Sequence, residues 1–148
     1  MNHLASDGSY SKLIEKTSNE VFFVLFPNRE LLLDFNQMLA DIFEEEDKSS
    51  CPINLKAFLT DKGKAKRVNI AVWVKKAVFF RDRGRCVLCN KDLTGLWNLD
   101  NRPNYDHIVP LDKFGFNDIT NIQLLCFSCN NNKRAKKGVT SSKIQPWY

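Results

Sequence analysis

Two Cys-x-x-Cys pairs, Cys86/Cys89 and Cys126/Cys129, restrict this chain more than any other feature of it. A two-residue spacer lets two thiolates converge on one tetrahedral ion, and a second pair completes a four-sulfur set. Between Cys89 and Cys126 lie 36 residues, more than the roughly 15 to 20 of simple four-cysteine fingers, so something further is built between the knuckles. The expected ligand is a structural Zn²⁺. With all four positions filled by thiolate it has no open site and should not be the catalyst. The fifth cysteine, Cys51, makes the count odd, which argues against a closed disulfide framework and reads as a small buried hydrophobe.

At 148 residues the chain is one domain, or a small module with an appended helical segment. Its longest uninterrupted apolar run, Val21–Phe26, is far short of the roughly 20 residues a membrane helix needs, and the polar first twenty residues offer no secretory core. A soluble, unprocessed, intracellular and cytoplasmic protein with no membrane partner is expected. The net charge of +5 conceals an asymmetry: residues 1–61 carry 5 Lys/Arg against 11 Asp/Glu, and residues 62–148 carry 17 against 6. A basic half of that size points to a polyanionic partner, with nucleic acid ahead of an anionic membrane surface because no basic helix with a bulky apolar face accompanies it.

Along the chain, residues 1–20 suggest a loose terminus and one helix, and Val21–Phe26, closed by Pro27, fits a buried strand or a helix equally. From Asn28, a plausible N-cap, Leu31, Leu32, Phe35, Met38, Leu39, Ile42 and Phe43 fall at amphipathic-helix spacing. Glu44–Asp47 reads as a solvated turn whose acids end that helix. Lys62–Arg67 is a basic stretch suited to a linker or to a phosphate-contacting loop. Ile70–Phe80 has strand propensity, but its length and the stop at Gly84 favour a helix.

Between the knuckles lie Tyr105-Asp-His-Ile-Val-Pro110 and Asn121-Ile-Gln-Leu-Leu-Cys126, followed by Cys129-Asn130. Through these residues the sequence resembles the HNH endonucleases, the zinc-bound branch of the ββα-metal nucleases. Counting from His107, the second family position falls 14 residues on at Asn121 and the third 23 residues on at Asn130. The resemblance covers about residues 81–137. It departs at Asn130, where the family name implies His, making this an H-N-N variant, and at Leu111–Phe116, which has one Gly where many relatives have two.

Taken with the charge asymmetry and the helical spacing, the resemblance leads to an α+β reading: an acidic, mainly helical N-terminal segment over residues 1–66, a zinc-stapled ββα-metal, treble-clef-like module over 67–138, and a tail over 139–148. It implies divalent-metal-dependent hydrolysis of DNA, most simply double-stranded, by a bacterial or phage protein. His107, with an ordinary pKa of about 6.5, can act as general base. Asp106 and Asn130 offer hard oxygen ligands suited to Mg²⁺ or Mn²⁺, and an amide in place of imidazole should favour Mg²⁺ over Ni²⁺. Adjacent strand residues point to opposite faces, so Asp106 and His107 cannot both face a metal from a regular strand; the resemblance implies that the pair sits where a strand passes into a loop, with Asn121 holding that loop by side-chain hydrogen bonds.

Lys133, Arg134, Lys136 and Lys137 form the strongest basic cluster, and Arg81, Arg83 and Arg85 a second track for phosphates. Trp97 reads as packing rather than base stacking. The competing readings are a zinc-dependent DNA-binding module that does not cut, and a nuclease acting on RNA or on structured DNA. The N-terminal segment is free to pack on the module, to form a homodimer, or to recruit a protein partner.

Overall fold

The computed structural model describes residues 8–45, 56–96, 101–134 and 137–143. His3, Glu46, Asp47, Cys51, Trp97 and Lys136 lie outside them. The elements are α1 (Ser9–Leu25), α2 (Arg29–Glu45), α3 (Val72–Arg81), β1 (Asn104–His107), β2 (Ile122–Leu125) and α4 (Phe127–Lys133), with single 3-10 turns at Leu111–Lys113 and Ile119–Asn121. This is the mixed helix-and-small-sheet architecture expected. No helix among the described residues is long and apolar enough to cross a membrane.

The apolar run before Pro27 is helical, and much of it faces outward: Phe23 is 72% and Val24 73% exposed. α1 buries no residue, and it is joined to the rest where the Arg81 guanidinium stacks 4.9 Å from the Phe26 ring. The Asn28 side chain caps α2, accepting from the Leu31 N–H at 3.2 Å. The face that α2 buries is not the apolar stripe alone. It runs Arg29, Leu32, Asn36, Ala40, while Leu31, Met38 and Ile42 are exposed.

Two polar residues occupy that face, and the donors of both are engaged. Arg29 reaches Asp82, donates to the carbonyls of Ser141 at 2.6 Å and Lys143 at 2.7 Å, and so straps the C-terminal segment to the helix. Asn36 donates to the Leu32 carbonyl and to Thr120 Oγ1. Asp82, whose side chain is completely buried, is the hub: it accepts from Arg29, takes two bonds from Arg81 at 2.8 and 3.0 Å, and accepts from the Leu124 N–H at 2.9 Å. One carboxylate thus ties α2, α3 and β2 together.

α3 is a helix despite its strand-prone residues, and it ends as Gly84 suggested. Gly84 has φ +61, its N–H bonds to the Phe79 carbonyl, and an added Cβ would lie 2.6 Å from Thr94 Cγ2. Val78 of α3 packs with Cys86, Val87, Leu93, Ile122, Leu124, Leu125 and Cys126 to form the core. β1 and β2 pair antiparallel, with Asp106 opposite Gln123 and His107 opposite Ile122. β2 is buried on both faces: Gln123 is covered by the segment after α4 and donates to the Val139 carbonyl, while the Val139 N–H donates to Ile108.

The buried Asp82 hub yields a prediction. Removing one member of a buried charge network leaves its partners uncompensated and costs about 3–5 kcal/mol. Asp82→Ala should therefore lower the unfolding free energy by about that amount in urea titration, whereas Asp41→Ala, on the exposed side of α2, should change it by less than about 0.5 kcal/mol.

Candidate active site

The four thiols meet. Cys86 and Cys89 lie on a tight loop closed by hydrogen bonds from the Asn90 N–H to the Cys86 carbonyl and from the Cys86 N–H to the Lys91 carbonyl. Cys126 and Cys129 open α4, where Cys126 Sγ accepts from the Cys129 N–H as the helix cap. All four sulfurs lie within 4.8 Å of one another, and those of Cys89 and Cys126 are 3.6 Å apart. A tetrahedral zinc with Zn–S near 2.3 Å needs sulfurs about 3.8 Å apart, so the set is compatible with a structural zinc.

The thiols also show why a cation fits there. Burial pushes Cys89 and Cys129 up; the other three sulfurs add to this at Cys129, whereas at Cys89 the Lys91 backbone and Cys129 act against it. Burial pushes Cys126 up too, but hydrogen bonds from the Cys129 backbone and the other thiols outweigh it and bring that thiol down. A divalent ion bound among the four sulfurs would compensate the charge of their thiolates.

This cluster pins both ends of the region carrying His107. His107 is the last residue of β1 and is only 2% exposed. Beyond it, the Ile108 N–H donates to the Asn121 carbonyl at 2.6 Å. The Asn121 side chain, fully buried, accepts from the Val109 N–H at 2.8 Å and donates to the carbonyls of Val109 and Phe116. Three bonds from one amide close the loop across the hairpin. Gly115 lets the loop pass, since a Cβ there would collide with the Val109 carbonyl, and the turn is made with Phe114 at φ +57.

Asp106, His107 and Asn130 line one cleft of about 830 Å³. Asp106 and His107 therefore share it although they are strand neighbours, because the strand ends at His107. His107 Nε2 lies 3.2 Å from Asn117 Oδ1. The Asn117 amide is oriented by its Nδ2, which donates to the Lys66 carbonyl at 2.7 Å, so its oxygen faces the imidazole. An oxygen can only accept, so Nε2 carries the proton and Nδ1 keeps its lone pair. Burial pushes the His107 pKa below its ordinary value; Arg67 and Lys133 push the same way, against Asn117 and Asp106.

Two basic residues expected on phosphate tracks have other employment. Lys133 is not a solvated helix end: its side chain is 2% exposed, its Nζ lies 2.9 Å from Asp106 Oδ2, and it donates to the His107 carbonyl at 2.6 Å. Arg81 is held by Asp82 and donates to the Ile122 carbonyl at 2.6 Å. None of Arg81, Arg83 and Arg85 lines the cleft, whereas Arg134 does, and Lys137 is exposed outside it. The Asn130 amide makes no side-chain hydrogen bond among the described residues, and with Asp106 it offers one neutral and one anionic oxygen donor, a set that fits Mg²⁺.

Sequence reasoning missed Asn117 and the role of Lys133. Lys133 was within reach, since it stands three residues after Asn130 and shares its helix face. Asn117 carries no comparable signal, because its partners are brought to it only by the fold.

Comparison with known proteins agrees with this geometry. Residues 86–136, about a third of the chain, match the family model described as HNH endonuclease. No curated protein and no solved structure matches the chain.

If the sulfurs hold the staple, Cys126→Ala loses a ligand and the α4 cap together. The wild-type chain should keep zinc through dialysis. The variant should lose it and, with it, the cooperative thermal transition, as read by metal analysis and circular dichroism on the same samples.

Proposed function

From the HNH endonuclease domain that this chain carries at residues 86–136, we propose that the protein is a divalent-metal-dependent endonuclease that hydrolyses DNA phosphodiester bonds. The observation that carries the reading is one cleft holding a buried histidine of fixed tautomer beside an anionic and a neutral oxygen donor. A binding-only module has no use for that arrangement.

The chain's own residues divide the work. His107 Nδ1 takes a proton from the attacking water, and the neutral ring that burial favours is the form able to do so. Asn117 holds the ring and its tautomer. Asn121 keeps the following loop closed, and Lys133 positions the Asp106 carboxylate and the His107 carbonyl at once. Asp106 and Asn130 would hold Mg²⁺ or Mn²⁺, which when bound neutralises charge on the phosphate and on the leaving oxygen. The thiolate-bound zinc stays outside the reaction.

The test is nicking of supercoiled plasmid with added Mg²⁺ by zinc-loaded protein. Wild type should convert it to open circle and His107→Ala should be slower by about 10²- to 10⁴-fold. Zinc-loaded wild type that binds plasmid without nicking it would favour the binding module, and cutting of RNA or branched DNA alone would reassign the substrate. Asn117→Ala should lower kcat about tenfold, as losses of a supporting residue do. Asn117→Asp, which keeps an accepting oxygen but cannot donate to the Lys66 carbonyl, should recover only part of it.

A further inference from the structure

The cleft has a second wall that lies outside residues 86–136. The chain from Leu59 to Arg67 turns back on itself: Leu59 pairs with Ala65, the Thr60 N–H donates to the Lys64 carbonyl, and the Lys66 N–H to the Phe58 carbonyl. Two latches hold it against the catalytic module. The Lys66 carbonyl accepts from Asn117, the residue that orients His107. Lys64 pairs with Asp112 at 3.3 Å and lies over the Phe114 ring at 5.5 Å.

Most cations of the cleft are already committed. Lys133 is paired with Asp106, Lys64 with Asp112, and Arg134 Nε with the Asn131 carbonyl of its own helix. Lys62 and Arg67 are different: both line the cleft, both are exposed, and neither side chain has an ion-pair or hydrogen-bond partner among the described residues. The acid not paired on these walls is Asp61. Ordered backbone carrying two uncommitted cations opposite a metal-binding carboxylate is suited to a polyanion whose backbone crosses the cleft.

We propose that the turn Leu59–Arg67 is the second, phosphate-binding wall of the catalytic cleft, with Lys62 and Arg67 gripping backbone phosphates that flank the one cut. The proposal rests on the nuclease reading for the identity of the polyanion as a substrate. It gives chain outside residues 86–136 a part in substrate binding, and of the two readings of the basic stretch Lys62–Arg67 it favours the phosphate-contacting loop.

The experiment uses the full zinc-loaded chain in the His107→Ala background, which binds without cutting, and a fluorescein-labelled DNA duplex followed by anisotropy across NaCl concentrations. Adding Lys62→Ala and Arg67→Ala should raise Kd about tenfold at 0.1 M salt and reduce the slope of log Kd against log salt by nearly two, since each phosphate contact contributes about 0.9. Lys12→Ala with Lys16→Ala, which removes the same charge from exposed α1, should leave the slope alone. Lys62→Arg with Arg67→Lys should restore it, which separates lost charge from lost folding. The proposal is overturned if the Lys62/Arg67 variant matches the α1 control in Kd and slope. In a chain with native His107, plasmid nicking by the same preparation distinguishes the two readings. Nicking with an unchanged slope sinks the second wall alone, and no nicking with a reduced slope sinks the nuclease while the phosphate wall stands.

Discussion

A sheet of two four-residue strands does not hold its shape in water, and that deficit organises the molecule. The strands bury too little apolar surface to fix their own register. Three devices compensate, each acting on a different part of the hairpin. The sulfur cluster ties the end of β2 to the Cys86 knuckle, Asp82 bonds the backbone of β2 from α3 and α2, and Asn121 closes the loop between the strands. The staple is placed in the core itself, since Cys86 and Cys126 are buried among Val78, Leu93, Ile122 and Leu124.

The same restraints give the proposed site its order. His107 ends a pinned strand, the next residue is bonded to Asn121, and its ring is held from the side by Asn117. Lys133 comes from the helix that the second cysteine pair begins, so the sulfur cluster and the Asp106 carboxylate are joined through one short helix. A base held in one tautomer by packing and hydrogen bonds starts the reaction with little reorganisation left to do. The turn carrying Lys66 is joined to the same imidazole through Asn117, so the proposed phosphate wall and the proposed base share a connection.

The legible part of this architecture is the part written in local spacing. The cysteine pairs, the Asp106-His107 step, the positions of Asn121 and Asn130, the Asn28 cap and the stop at Gly84 are all fixed by chain geometry over a few residues or a known interval. What was not legible depends on partners far away in sequence. Arg29 and Asn36 can be buried because Asp82, Thr120 and the backbone at Ser141 and Lys143, all distant in sequence, supply their bonds. Lys133 and Arg81 looked like surface charge for the same reason, because a cation's fate depends on whether the fold brings a carboxylate or carbonyl to it. The Val21–Phe26 run was ambiguous because hydrophobicity over six residues has no usable period, and α1 leaves much of it exposed.

The proposed division of labour has sulfur-held zinc building the site and an exchangeable ion at Asp106 and Asn130 serving it. Zinc content and DNA cutting, followed on one sample, test this most directly. Zinc-loaded protein dialysed against a weak chelator should retain its zinc and leave DNA intact, then begin cutting when Mg²⁺ is added with no change in zinc content. Cutting at full rate by the dialysed, zinc-retaining protein without added Mg²⁺ would contradict the account.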